Sequence, residues 1–183
     1  VNGKKIKVLA EAFRDEVVKL RHQFHRHPET AWKEVETSRK IESLLSEWGF
    51  ENIRRGVRGT TCGVVADLNQ GIEGPSIALR ADMDALAIKE ENCVPYVSEC
   101  EGVMHACGHD THTAMLAGAA RLVAARQGDF AGEVHFMFQP GEEGFHGARF
   151  MIEQGALENP RPAAIFGLHG WPSLPAGSVG LRS

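Results

Sequence analysis

Four short polar clusters hold the residue types that metal-assisted hydrolysis needs: ADMDA at Ala81–Ala85, MHACGHDTH at Met104–His112, PGEEG at Pro140–Gly144 and HGW at His169–Trp171. Together they supply Asp82, Asp84, Cys107, His109, Glu142, Glu143 and His169, a mixture of carboxylate, thiolate and imidazole donors suited to a divalent transition ion. Cys107 and His109 flank a glycine, and at that i, i+2 spacing an extended or turning backbone points both side chains the same way. One ion can take both. Glu142 and Glu143 are adjacent, so their side chains leave the backbone in different directions and suit different work. One can ligate while the other moves protons, as amide hydrolysis requires of a base beside metal-activated water. Taken singly, each cluster has an ordinary explanation. Asp110 is placed to cap the helix that follows it, paired glutamates commonly form a solvated face, and an isolated cysteine is usually a small buried hydrophobe.

The elements that must position these clusters can be read from periodicity. Leu9, Phe13, Val17, Leu20 and Phe24 recur at helical spacing and predict a helix over about 6–27, stopped by Pro28. Ile41, Leu44, Leu45 and Trp48 mark a second helix ended by Gly49. Two β-rich runs, Cys62–Leu68 and Ser76–Ala81, are split by the turn-forming stretch NQGIEGP. A helix over Thr111–Ala125, a strand over Val134–Gln139, a helix over Gly147–Gln154 and a strand over Ala163–Leu168 follow. This alternation predicts an α/β sandwich with a mixed or largely parallel sheet. Three clusters then stand just past strand ends and the fourth opens a helix. Open α/β sheets bind ligands at that edge.

The chain has a formal charge of −4 and scattered basic residues, which excludes the basic footprint of a nucleic-acid binder and points to small-molecule partners. No apolar run approaches a membrane span, and the charged, amphipathic start is unlike a signal peptide. A cytoplasmic protein is expected. The four cysteines form no CxxC pair; Cys93 and Cys100 would pair only in an oxidising compartment, and free thiols are expected. Turn-rich stretches at 158–162 and 172–177 do not divide the chain, so one domain is read over 1–183.

In order and spacing, the segments FHRHPET, LRADMDAL, GVMHACGHDTHTAMLAGAA, FQPGEEG and GLHGWPSLPAG resemble the amidohydrolase branch of the aminoacylase and carboxypeptidase family of metallopeptidases. That branch includes hippurate hydrolases, N-acyl-L-amino-acid amidohydrolases and plant hydrolases of auxin conjugates. The resemblance runs from about Leu20 to Gly180. It implies a zinc-exopeptidase-like three-layer sandwich with a mixed, mostly parallel sheet, Cys107, His109, Glu143 and His169 as metal ligands, and Glu142 as general acid/base. It also implies Asp84 as an orienting carboxylate, two divalent ions (zinc, manganese, cobalt or nickel), and an N-acyl-amino-acid substrate cleaved at its amide bond.

Asp82 stands where other branches carry a ligand histidine, leaving it either a ligand or a supporting group. His105 and His112 either brace ligands or bond within their own turn. Ala87 replaces a usual proline and Gly141 a usual alanine. Family members are longer, with a lid or dimerisation domain after the GSVGLRS-like segment and a last histidine ligand beyond it. Residues 1–183 are therefore expected to be the N-terminal part of a catalytic domain, inactive alone, with the carboxylate clamp for substrate on the absent lid. The complete protein is expected to be a homodimer or higher oligomer. Other readings are a dipeptidase or biosynthetic N-acetyl deacetylase of the same family, a Cys107 nucleophile paired with His109 or His105, and a non-catalytic metal-binding remnant.

Overall fold

Apolar residues every three to four positions give Gly3–Arg26 and Val35–Glu47 one water-avoiding face each, and they form α1 and α2. The structure, a computed structural model, describes residues 3–158 and 161–181. Leu20 and Phe24 of α1 and Ile41 and Leu45 of α2 are buried together with Ala114, Leu116, Ala117 and Ala120 of α3 (His109–Ala124). The small residues of α3 let α1 approach closely: a Cβ at Gly118 would lie 2.7 Å from Val17 Cγ2.

These helices cover one face of a five-stranded sheet built from β1 (Asn52–Arg55), β2 (Val64–Leu68), β3 (Ser76–Asp82), β4 (Glu133–Gln139) and β5 (Ala164–Gly167). Alternate residues of a strand face opposite sides. Val64, Ala66, Leu68, Phe136 and Phe138 accordingly join the α1–α3 core. Val65, Ala78 and Met137 join a smaller core with Met151 of α4 (Gly147–Glu153) on the other face. The result is three layers. Truncating a fully buried side chain such as Ile41 or Phe136 would cost about 2–5 kcal/mol.

The strand order is β1-β2-β4-β3-β5. β3 runs parallel to both β4 and β5, while β2 is antiparallel to β4 and to β1. The sheet is mixed as expected, with β2 alone running against the other strands. The C-terminal ends of β3, β4 and β5 therefore share one edge, and ADMDA, PGEEG and HGW follow from it. Among the described residues no helix is long and apolar enough to cross a membrane.

Three details differ from the sequence reading. The strand β1 was not anticipated, because NIRR has a single apolar residue and becomes a strand only by pairing with β2. The helix α2 starts at Val35, ahead of its apolar stripe, because the Glu29 carboxylate accepts the otherwise unpaired N–H groups of Glu36 and Thr37. Asp110 does not cap α3; the preceding residue of the helix is its first, His109, and Asp110 turns its carboxylate to Arg21 and His25, each at 2.8 Å.

Candidate metal centre

Gly108 adopts the left-handed conformation, φ 86°, immediately before α3. This turn sets Cys107 outside the helix and His109 in its first turn, and the loop after β4 brings Glu143 to both. One donor atom each from Cys107, His109 and Glu143 falls within 4.8 Å of the others. Fully buried His109 donates Nδ1–H to the Asp84 carbonyl at 2.8 Å, so its Nε2 carries the free lone pair. Among the described residues that Nε2 has no hydrogen-bond partner, and neither does buried Glu143 Oε1, 3.8 Å away. Two buried acceptors facing one another without a donor are costly unless something electropositive lies between them. The donor set fits a divalent cation.

His169 is arranged in the same manner. Its Nδ1–H donates to the Gly170 carbonyl at 2.7 Å, and Nε2 points to Cys107 Sγ at 3.6 Å. Ligand histidines are commonly oriented by such a bond from the second ring nitrogen. Asp82, His109, His112 and His169 form an overlapping group, but two of its members are already committed. His112 donates Nδ1–H to Asp82 Oδ1 at 2.7 Å and accepts the Gly170 N–H on Nε2 at 2.8 Å. The other Asp82 oxygen pairs with Arg80 at 2.8 Å. His112 thus steadies the segment that carries His169. His105 is buried away from these bonds, its Nδ1 without a partner among the described residues, and burial lowers its pKa to about 4.

The loop glutamates differ in exposure, 39% for the Glu142 side chain and 25% for Glu143, and Glu142 Oε2 lies 3.8 Å from His109 Nε2. Asp84 accepts the N–H groups of Glu142 and Glu143 on its two oxygens, at 3.0 and 2.9 Å. Burial alone would raise its pKa, but the bonds from His109 and these two amides hold it below the usual carboxylate range. Burial also favours the neutral form of Asp82, yet the His112 bond and the charge of Arg80 bring it down to about 2. At Cys107 burial and the neighbouring carboxylates, led by Glu143, push the thiol up to about 11. At His109 burial is outweighed by Asp84 and Asp82, which raise the imidazole pKa. The cluster is an anionic pocket that favours bound positive charge.

Residues 78–183 match the profile of peptidase family M20/M25/M40. The chain belongs to this family. It is 42% identical over 172 residues to an N-acetylcysteine deacetylase of Bacillus subtilis, covering 94% of this chain and 44% of the relative. It is 38% identical to an N-acyl-L-amino acid amidohydrolase of Geobacillus stearothermophilus, covering 96% of this chain and 46% of the relative. A crystal structure of a Bacillus subtilis protein, described as a dinuclear metal-binding peptidase from the M20 family, superposes with a TM-score of 0.85 at 43% identity. That match covers 94% of this chain and 47% of the other. The chain thus spans less than half the length of these relatives.

Within this family member, the six residues to which the resemblance assigns roles (Asp84, Cys107, His109, Glu142, Glu143 and His169) gather at one sheet edge. Sequence reasoning missed Glu34, fully buried, which accepts the Gly141 N–H at 2.8 Å. It also missed Arg80 as the partner of Asp82. Arg80 was legible in principle, since i, i+2 residues of a strand share a face. Glu34 lies 107 residues from its partner and left no local signal.

Proposed function

We propose that this chain supplies most of the metal site and the general acid/base of a hydrolase that cleaves the amide bond of N-acyl amino acids. The observation that carries the reading is the pair of unpartnered buried acceptors, His109 Nε2 and Glu143 Oε1, facing one another beside Cys107. Cys107, His109, Glu143 and His169 would hold divalent ions, two in the complete site, of the zinc, manganese, cobalt or nickel type. When bound, such ions polarise the substrate carbonyl and lower the pKa of water. Glu142, the more exposed of the pair, takes the proton of the attacking water and delivers it to the departing amine. Asp84 holds the main chain of both glutamates and, through its own carbonyl, the ring of His109. Asp82 and His112 support His169 from behind and do not ligate.

The names of the two sequence relatives support an acylated amino acid as the substrate class, and the M20 crystal structure supports two ions. The surroundings of Cys107 speak against a thiol nucleophile. Reactive cysteines sit among cationic groups that favour the thiolate, whereas carboxylates crowd this one and raise its pKa. The test is metal removal from the complete protein. Turnover of N-acetyl or N-benzoyl amino acids should vanish with chelator and return with a divalent ion. Activity that survives exhaustive chelation and dies on thiol alkylation would overturn the proposal.

A further inference from the structure

Among the described residues the FHRHPET segment and those just after it supply no donor to the candidate ligand groups, yet they reach the glutamate loop from behind. Three successive main-chain N–H groups of that loop are each held by a buried carboxylate oxygen. Glu34 takes Gly141 at 2.8 Å, and Asp84 takes Glu142 at 3.0 Å and Glu143 at 2.9 Å. We propose that Glu34 is a positioning residue: together with Asp84 it grips the Gly141-Glu142-Glu143 backbone and so sets where the two loop carboxylates stand relative to His109 and Cys107. The inference rests on reading Glu142 as the base and Glu143 as a ligand.

Glu34 can do this because its own backbone is fixed to the same framework as Asp84. The Ser38 hydroxyl donates to the Glu34 carbonyl at 2.6 Å and accepts the Gly63 N–H at 2.9 Å. Gly63 in turn lies against Pro140, the residue before the loop; a Cβ there would be 2.9 Å from Pro140 Cδ. On the other side, the Glu29 carbonyl accepts the N–H of Ala85, next to Asp84, at 2.8 Å. The same Glu29 caps α2, whose start carries Glu34. Both gripping carboxylates are therefore referenced to one another through short links.

The loop is shaped to be gripped. Gly141 has φ 58°, and a Cβ on it would lie 3.1 Å from the Trp32 ring. An alanine at this position would have to push that ring or change the turn, so Gly141 and Trp32 suit one another. The Gly141 carbonyl accepts the Gly147 N–H at 2.9 Å, fastening the far end of the loop to the start of α4. Between these anchors the Glu142 and Glu143 side chains reach the ligand cluster, each with an oxygen 3.8 Å from His109 Nε2. Shifting the Gly141 amide would shift both.

Length and charge at position 34 make opposite predictions and can be separated in the complete protein. Glu34→Gln keeps an acceptor oxygen at the same reach without charge. Glu34→Asp keeps the charge but draws the oxygen back by one methylene. Each variant and the wild type is titrated with Co²⁺, following the thiolate-to-cobalt absorption band, and assayed on an N-acetyl amino acid for kcat and KM. Positioning by Glu34 predicts that Glu34→Gln stays within about threefold of wild type in cobalt affinity and kcat. It predicts that Glu34→Asp loses about tenfold to a hundredfold in one or both, with KM little changed. Loss in Glu34→Gln with Glu34→Asp near wild type would show that charge matters, and would overturn the proposal. So would a purely structural outcome, in which Glu34→Asp melts at lower temperature but keeps wild-type cobalt affinity and turnover per folded molecule. If the wild type hydrolyses no N-acyl amino acid, the functional reading fails, while the cobalt titration still decides the role of Glu34.

Discussion

Glu142 and Glu143 are adjacent in sequence and share the grip of Asp84, yet their surroundings differ. Glu143 Oε1 is buried and unpartnered beside His109, whereas the Glu142 side chain is the more exposed. A ligand needs the first environment, and a proton carrier that meets water and substrate needs the second. In the complete protein, Glu142→Gln is expected to keep its metal content and lose at least about two orders of magnitude in rate. Glu143→Gln should lower metal occupancy as well. Metal analysis beside turnover checks both, and equal metal loss in the two variants would show that the roles are shared or reversed. At this scale the residues that face the site were legible in the sequence, because their types are unusual and each cluster is local. The distant partners through which they are supported were not. Glu34 to Gly141, His25 to Asp110 and His112 to Gly170 join residues 58 to 107 apart, and such contacts leave no periodicity to read. Asp110 is the instructive case: its type and place suit a helix cap, but a partner 85 residues away claims its carboxylate.

The strands that present the clusters are tied across their width by polar contacts as well as by the ladder. His135 of β4 donates Nδ1–H to Asp67 of β2 at 2.7 Å and accepts the Ser76 hydroxyl of β3 at 2.8 Å. All three are buried on the face opposite α1–α3, so the row braces three strands. Burial would raise the Asp67 pKa, but the His135 bond and the Arg54 charge hold it below its ordinary value. Folding thus depresses a carboxyl pKa. The stability this contributes is fully present above the unfolded value of about 3.9 and is lost as pH falls through the folded value. Asp67→Asn should cost about 3 kcal/mol near neutral pH, the scale for breaking a buried pair, with a smaller difference from wild type below about pH 4. Urea unfolding of both proteins at pH 7 and at pH 3.5 measures this, and a difference that does not narrow in acid would argue against the charged pair. The central strands were legible because β2 and β4 are apolar runs buried on both faces. The edge strand β1 was not, because pairing with β2 makes it, with little help from its own composition.

The two flanks of the sheet differ sharply at the scale of the whole chain. β4 is buried along its full length, but in β5 only Ala164 is even half-buried. Ile165 and Phe166 of β5 are 51% and 57% exposed, and Leu168 and Trp171 beyond it are more exposed still. Parallel strands are ordinarily covered on both faces. Among the described residues β5 pairs only with β3, so its other edge presents unpaired N–H and C=O groups beside apolar side chains, a template for joining another chain. The same flank carries His169, whose ring is exposed where a deeply held ligand would be covered. The 183-residue chain studied by itself is therefore expected to associate through β5, to hold fewer than two tightly bound ions, and to turn over no N-acyl amino acid. Light scattering on the separated protein reads the association, and elemental analysis reads the metal. Ile165→Lys should reduce association by charging the edge while leaving metal uptake unchanged, since residue 165 contributes no donor to the cluster. Two firmly held ions with ready turnover in a monomeric 183-residue chain would show that these residues complete the site, and that the exposed flank of β5 needs no covering.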